Sequence, residues 1–320
     1  MRLSLLLNLI VCSQLLFGQI VINRHSVWEE GGEVVLAEGI AIPKVEPGYT
    51  LWLPKVESIK GLVVFTHARR ELKESDELID YALSQNLAVV YVTTDNRLEF
   101  FFKQERLLEV ECFLKEILDK HDIPESNMLY CGMSLEGTRA LKLAIYGHSW
   151  KALHHLKPRA IAICDAPLDM VRFHHQMVRA KELAFTPITE NEGTWVSGYL
   201  ESNLGGTPAD SLDAYIQYSP YCYSANGGPH LAAFDSIAIR AYTEPDVQWW
   251  MDNRGKDYYA MNAIDLAAFI NDLNLRGHKE ATLITTRDKG YLPDGSRHPH
   301  TWGIVDEKEL IDWFVSLLDN

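Results

Sequence analysis

Positive charge, cysteine and long apolar runs are all scarce in this chain of 320 residues. Lysine and arginine total 30 against 44 aspartate and glutamate, a formal net charge of −14. Phosphate backbones and anionic lipid surfaces both require a positive face, so this balance argues against a nucleic-acid partner and against electrostatic docking on a membrane. No stretch of 18 uninterrupted apolar residues occurs, which argues against an integral membrane protein. The five cysteines (Cys12, Cys112, Cys131, Cys164 and Cys222) show neither CxxC nor metal-ligand spacing. HExxH, GxGxxG and Walker patterns are also missing, so no metal and no nucleotide cofactor is expected. His154-His155 and His174-His175 are adjacent pairs. Successive side chains on a helix or strand point apart, so neither pair suits a single ion.

What is present is a globular composition, 47% hydrophobic and 23% charged, long enough to bury a core without disulfide or metal staples. The first residues, MRLSLLLNLIVCSQLLFGQ, combine Arg2, an apolar stretch and small Gly18. That is the pattern of a secretory signal peptide over residues 1–18, so a secreted or periplasmic protein is expected, with residues 19–320 as its folded part. Cys131 and Cys164 sit inside apolar strand candidates and are expected to be buried free thiols.

After residue 60, short β-branched runs alternate with amphipathic ones. Strands are predicted over 61–65, 87–93, 128–132, 160–164, 237–242 and 281–286. Helices are predicted over 74–85, 103–121, 135–146, 256–275 and 307–318. Continuous apolar strands joined by helices imply an α/β fold, a mostly parallel sheet covered on both faces. Upstream, residues 33–42 and 49–53 read as antiparallel strands at the sheet edge. Residues 166–236 break the rhythm with Trp195, Tyr199, Tyr215, Tyr218, Tyr221 and Tyr223. They read as an insertion over the strand C-termini, where open α/β sheets bind ligands, and so as a lid.

The sharpest local signal is Gly132-Met133-Ser134-Leu135-Glu136-Gly137, between a predicted strand and a predicted helix. A serine hydroxyl needs an adjacent base to act as a nucleophile, and a tight turn to project it toward substrate. The alternative is a serine capping an ordinary helix. This segment resembles the nucleophile motif G-x-S-x-G of the α/β-hydrolase family, with Glu136 where the second glycine is expected. The resemblance spans residues 50–320 and implies an acid and then a histidine, in that order, after later strands. Asp246, after strand 237–242, occupies the expected acid position, with Glu244 and Asp165 as alternatives. His300, in the loop after the last strand, is the expected base, with His298 as its rival. The resemblance further implies an oxyanion hole from the backbone N–H of Leu135 and of Arg69. Arg69 and Arg70 are also candidates for an acidic group on the substrate. Trp249-Trp250 and the tyrosines of 166–236 suggest either an aromatic platform for a sugar or phenolic ring, or simple packing.

The expectation is therefore a secreted, cofactor-independent serine hydrolase acting on a small-molecule or carbohydrate-linked ester. A peptidase or amidase of the same fold, and a non-catalytic binding protein, remain as alternatives.

Overall fold

The computed structural model describes residues 20–24, 28–37, 40–67, 77–96 and 98–318. The leader expected over 1–18, and Arg69 and Arg70, lie outside them. In chain order, the strands are β1 (Ile20–Arg24), β2 (Trp28–Ala37), β3 (Ile40–Val45), β4 (Gly48–Leu53), β5 (Gly61–Phe65), β6 (Leu87–Thr93), β7 (Met128–Met133), β8 (Ala160–Cys164), β9 (Ala238–Thr243) and β10 (Ala281–Thr285). The helices are α1 (Glu77–Ser84), α2 (Gln104–Lys120), α3 (Leu135–His148), α4 (Met170–Leu183), α5 (Pro187–Leu204), α6 (Pro208–Tyr218), α7 (Val247–Arg254), α8 (Ala263–Leu275) and α9 (Glu307–Leu318).

Eight strands form one sheet in the order β1-β4-β6-β5-β7-β8-β9-β10. The pairs β1–β4 and β4–β6 are antiparallel, and every other neighbour is parallel. The parallel strands β5, β6, β7 and β8 are apolar almost throughout because helices cover both faces. Alternate residues of each strand enter opposite layers. Val64, Tyr130 and Ile161 pack with α2, α3 and α8, whereas Val63, Leu129 and Ala162 pack with α1 and α9. Each buried Val, Leu or Ile side chain contributes roughly 1.5–3 kcal/mol, so a one-residue slip in any central strand reverses a whole row.

Two sequence expectations need correction. Residues 33–37 and 40–42 do not join the sheet edge; they belong to β2 and β3, which pair with each other in a separate two-stranded sheet. Alternation marks a strand but not its partner. The sheet edge is instead β1, antiparallel to β4. The long helix expected over 256–275 is shorter: a one-turn helix at Tyr258–Ala260, capped by Asp257, precedes α8.

Between β8 and β9 the chain builds α4, α5 and α6. Their shared apolar cluster takes in Phe100 and Phe102 from the loop after β6 and Leu135 from the start of α3, which ties these helices to the C-terminal side of the sheet. Tyr199, Tyr215, Tyr218 and Tyr221 are buried, so those four tyrosines are packing residues, while Tyr223 is exposed.

One buried cation braces the loops around the same edge. Arg139 on α3 is 2% exposed. Its guanidinium donates to Glu99 O, to Thr66 O at 2.7 Å and to Asn96 O at 3.4 Å, joining the segments after β5 and β6. Arg139→Met keeps the bulk but strands three buried carbonyls, each worth roughly 1–3 kcal/mol when unsatisfied. Urea denaturation should show a loss of about 3 kcal/mol; an unchanged midpoint would mean that the brace is idle.

Candidate active site

The turn from β7 into α3 carries Ser134 at φ 52°, ψ −123°, a conformation rare for a residue with a Cβ. Such strain persists only where the surroundings enforce it. Here the Ser134 N–H donates to Cys164 O at 2.8 Å, tying the turn to the end of β8. Two glycines make room. A Cβ on Gly132 would lie 2.2 Å from the Glu136 carbonyl carbon, and one on Gly137 would lie 2.6 Å from Ala166 Cβ. The second glycine is thus needed at 137, and Glu136 occupies a position with no such demand. Glu136 is half-buried in the first turn of α3, where a negative charge meets the positive end of the helix dipole.

Ser134 stands at the N-cap of α3 but makes no side-chain cap bond, which sets aside the plain capping alternative. Leu135 opens the helix, so its N–H is among the first amides that have no acceptor within it. Among the described residues no side chain accepts a hydrogen bond from the Ser134 hydroxyl, His300 included. Such contacts are often long without substrate and tighten when it binds.

His300 is not hydrogen-bonded to Asp246, the acid expected from the order of strands. The Asp246 carboxylate accepts from Trp249 N–H at 3.1 Å, capping α7, and from Arg297 Nη2 at 2.8 Å. Glu244 is likewise occupied, by Arg297 at 2.5 Å, Thr286 Oγ1 at 2.7 Å and the N–H groups of Lys289 and Gly290. Burial pushes the Glu244 carboxyl up, but the bonds from Thr286, Gly290, Lys289 and Arg297 outweigh it and hold the group below its ordinary range. The partner of His300 is Asp165, immediately after β8. His300 Nδ1 donates to Asp165 Oδ2 at 2.5 Å.

Asp165 is 6% exposed and sits at φ 45°. Its N–H donates to Tyr242 O at 2.8 Å, and its carbonyl accepts from Asn262 Nδ2 at 2.9 Å. Thr243 Oγ1 donates to the other carboxylate oxygen at 3.2 Å. Both oxygens are therefore held, and the imidazole has one orientation to adopt. With Nδ1 donating, His300 Nε2 is the nitrogen left to accept a proton.

His298 has a different task. Its Nδ1 lies 2.9 Å from the carbonyl oxygen of His300, so this nitrogen carries the proton and braces the loop. Nε2 then accepts from Arg254 at 3.4 Å. Burial lowers its pKa and favours the neutral form. Trp249 packs edge-on against His298 and Trp250 against His300, so the tryptophan pair walls the histidine loop. The cysteines are no rival nucleophiles at the strand ends. Cys131 and Cys164 are buried free thiols whose pKa is pushed well up by burial. Among the described residues, no group of three His, Cys, Asp or Glu side chains could hold a metal. His174, buried, bonds Glu201 at 2.7 Å while His175 points outward, so the adjacent histidines do diverge.

The pairing has a direct signature. The hydrogen-bonded His300 Nδ1 proton should give a low-field NMR resonance that survives Asp246→Asn and disappears in Asp165→Asn. Loss in Asp246→Asn with retention in Asp165→Asn would reverse the assignment.

No family model and no curated protein sequence matches the chain. Solved structures do. Esterase B from Lactobacillus rhamnosis (HN001) superposes with a TM-score of 0.56 at 13% identity, covering 96% of this chain and 88% of the other. A hyperthermophilic esterase from Pyrobaculum calidifontis gives 0.52 at 14%, covering 96% and 84%. A puromycin-hydrolyzing peptidase from Mycobacterium tuberculosis gives 0.55 at 14%, covering 99% of this chain but only 42% of that one. Together with the strand order and the strained serine turn, these likenesses identify the architecture of the chain as the α/β-hydrolase fold.

Proposed function

We propose that this chain is a serine hydrolase of carboxylic esters, with Ser134 as nucleophile, His300 as general base and Asp165 as the acid that orients it. The observation that carries the reading is the His300–Asp165 bond at the C-terminal ends of the parallel strands, where the strained Ser134 turn also lies. Ser134 Oγ attacks the acyl carbon while its proton passes to His300 Nε2. Asp165 fixes the tautomer and stabilises the imidazolium. The developing oxyanion meets the N–H of Leu135. In this reading Arg69, in the loop after β5, supplies the second donor. Each donor is worth roughly 2.7–4 kcal/mol of barrier. The proton on His300 then goes to the departing alcohol, and water attacks the acyl-enzyme by the same route.

Two structural neighbours described as esterases support ester over amide cleavage. The substrate class is a small-molecule or carbohydrate-linked ester. Helices α4–α6 act as a cover over the strand ends, and residues 1–18 direct the protein out of the cytoplasm. Among the described residues, no helix is long and apolar enough to cross a membrane.

A fluorophosphonate should label the folded protein at Ser134 alone, located by peptide mass spectrometry, and Ser134→Ala should abolish both labelling and hydrolysis of short p-nitrophenyl esters. No labelling of folded protein would favour a non-catalytic role. Faster cleavage of aminoacyl nitroanilides than of esters would move the assignment to a peptidase.

A further inference from the structure

The chain that leaves Asp165 enters α4 and is gripped on the way by the start of α8. Two polar residues there are spent on this grip rather than on their own helix. Asn262 stands at the N-cap of α8, a position that favours asparagine for the bond its side chain gives to the first amides, yet it makes no such bond. Its Nδ2 donates instead to the Asp165 carbonyl at 2.9 Å, and its Oδ1 accepts from Arg172 Nη2 at 3.1 Å. Asp265, in the first turn of α8, accepts from the N–H groups of Leu168 and Asp169 at 2.9 and 3.1 Å. It also accepts from Arg172 Nε at 2.6 Å and Nη2 at 2.7 Å. A polar residue turned away from the local bond it would favour marks a place where another demand is met.

That demand is the backbone of Asp165. Its φ of 45° is unfavourable for a residue with a Cβ and lasts only where neighbours enforce it. The Asn262 amide can enforce it in one orientation only. With Nδ2 toward Asp165 it donates to the carbonyl; turned over, it would set oxygen against oxygen. Arg172 decides between the two. A guanidinium has donors and no acceptor, so the amide oxygen must face Arg172, and Nδ2 is left to face Asp165. The same arginine carries a second load. Asp265 is 3% exposed, and taking its cation away would leave a buried charge alone. A test must therefore keep a cation at 172.

We propose that Arg172, on the first helix of the segment between β8 and β9, is a positioning residue for the serine centre: by fixing the Asn262 amide it holds the Asp165 backbone so that the carboxylate stays aimed at His300. The proposal rests on the hydrolase reading with Asp165 as its acid. It ties the placement of α4 to the placement of that acid.

Two variants separate this role from bulk stability. Arg172→Lys keeps a cation beside Asp265 but lacks the fork that spans Asp265 and Asn262. Asn262→Asp keeps the shape and the acceptor for Arg172 but removes the donor to Asp165. Each should lower kcat for a p-nitrophenyl ester about tenfold, the effect of a small misplacement far from the reacting atoms, with KM changed by less than about twofold. Each should also shift or broaden the low-field His300 Nδ1 resonance, which a general loss of stability does not move in protein that is still folded. Arg179→Ala removes an exposed cation from the same helix and should leave both kcat and the resonance as they are. If Arg172→Lys does not fold, Asn262→Asp decides alone. An unchanged kcat or an unmoved resonance in a folded variant, a change confined to KM, or an equal loss in Arg179→Ala would each overturn the proposal. Wild-type protein that shows the resonance but cleaves no ester would count against the hydrolase reading alone, and the resonance in the variants would then decide whether Arg172 positions Asp165.

Discussion

A single hydrogen bond, from His300 Nδ1 to Asp165 Oδ2 at 2.5 Å, is the contact on which the site depends. It joins two loops far apart in sequence and aims the other imidazole nitrogen away from the acid. Everything around it serves to hold the two ends. Asp165 is pinned through its N–H, its carbonyl and both carboxylate oxygens by Tyr242, Asn262, Thr243 and His300 itself. A carboxylate so fully engaged has little freedom to relax, which preorganises its field where charge would develop on the imidazole.

The other end is held by a charge cluster next door. Arg297, three residues before His300, bonds both Glu244 and Asp246. Glu244 in turn gathers the amides of Lys289 and Gly290. The two carboxylates that follow β9 therefore anchor the loop that presents the histidines. This division of labour follows from geometry: β8 and β9 are neighbours in the sheet, so acids after either strand end within reach of the same loop. Asp246 anchors the loop, and Asp165 meets the imidazole.

Much of this was legible in the sequence. The buried strands announced themselves as β-branched runs, and β5, β6 and β8 begin and end where their patterns do. The serine turn was visible from Gly132 and Ser134 between a strand and a helix, and His300 from its place after the last strand. What sequence could not supply was the choice between acids one strand apart, because chain order carries no information on which carboxylate an imidazole reaches. The second glycine of the turn was also displaced by one residue. Only the close approach of Ala166 to Gly137 explains why 137, and not 136, must lack a side chain. The pairing of β2 with β3 escaped because alternation is blind to partners. The leader expected over 1–18 and Arg69 fall outside the described residues, so the structure has no bearing on either.

The most direct test of the central claim is kcat for a p-nitrophenyl ester in Asp165→Asn and Asp246→Asn, measured side by side. The account predicts a loss of about 10⁴-fold for Asp165→Asn, from an imidazole with the wrong tautomer, and a far smaller loss for Asp246→Asn through a loosened loop. A near-normal kcat in Asp165→Asn, with collapse in Asp246→Asn, would contradict it.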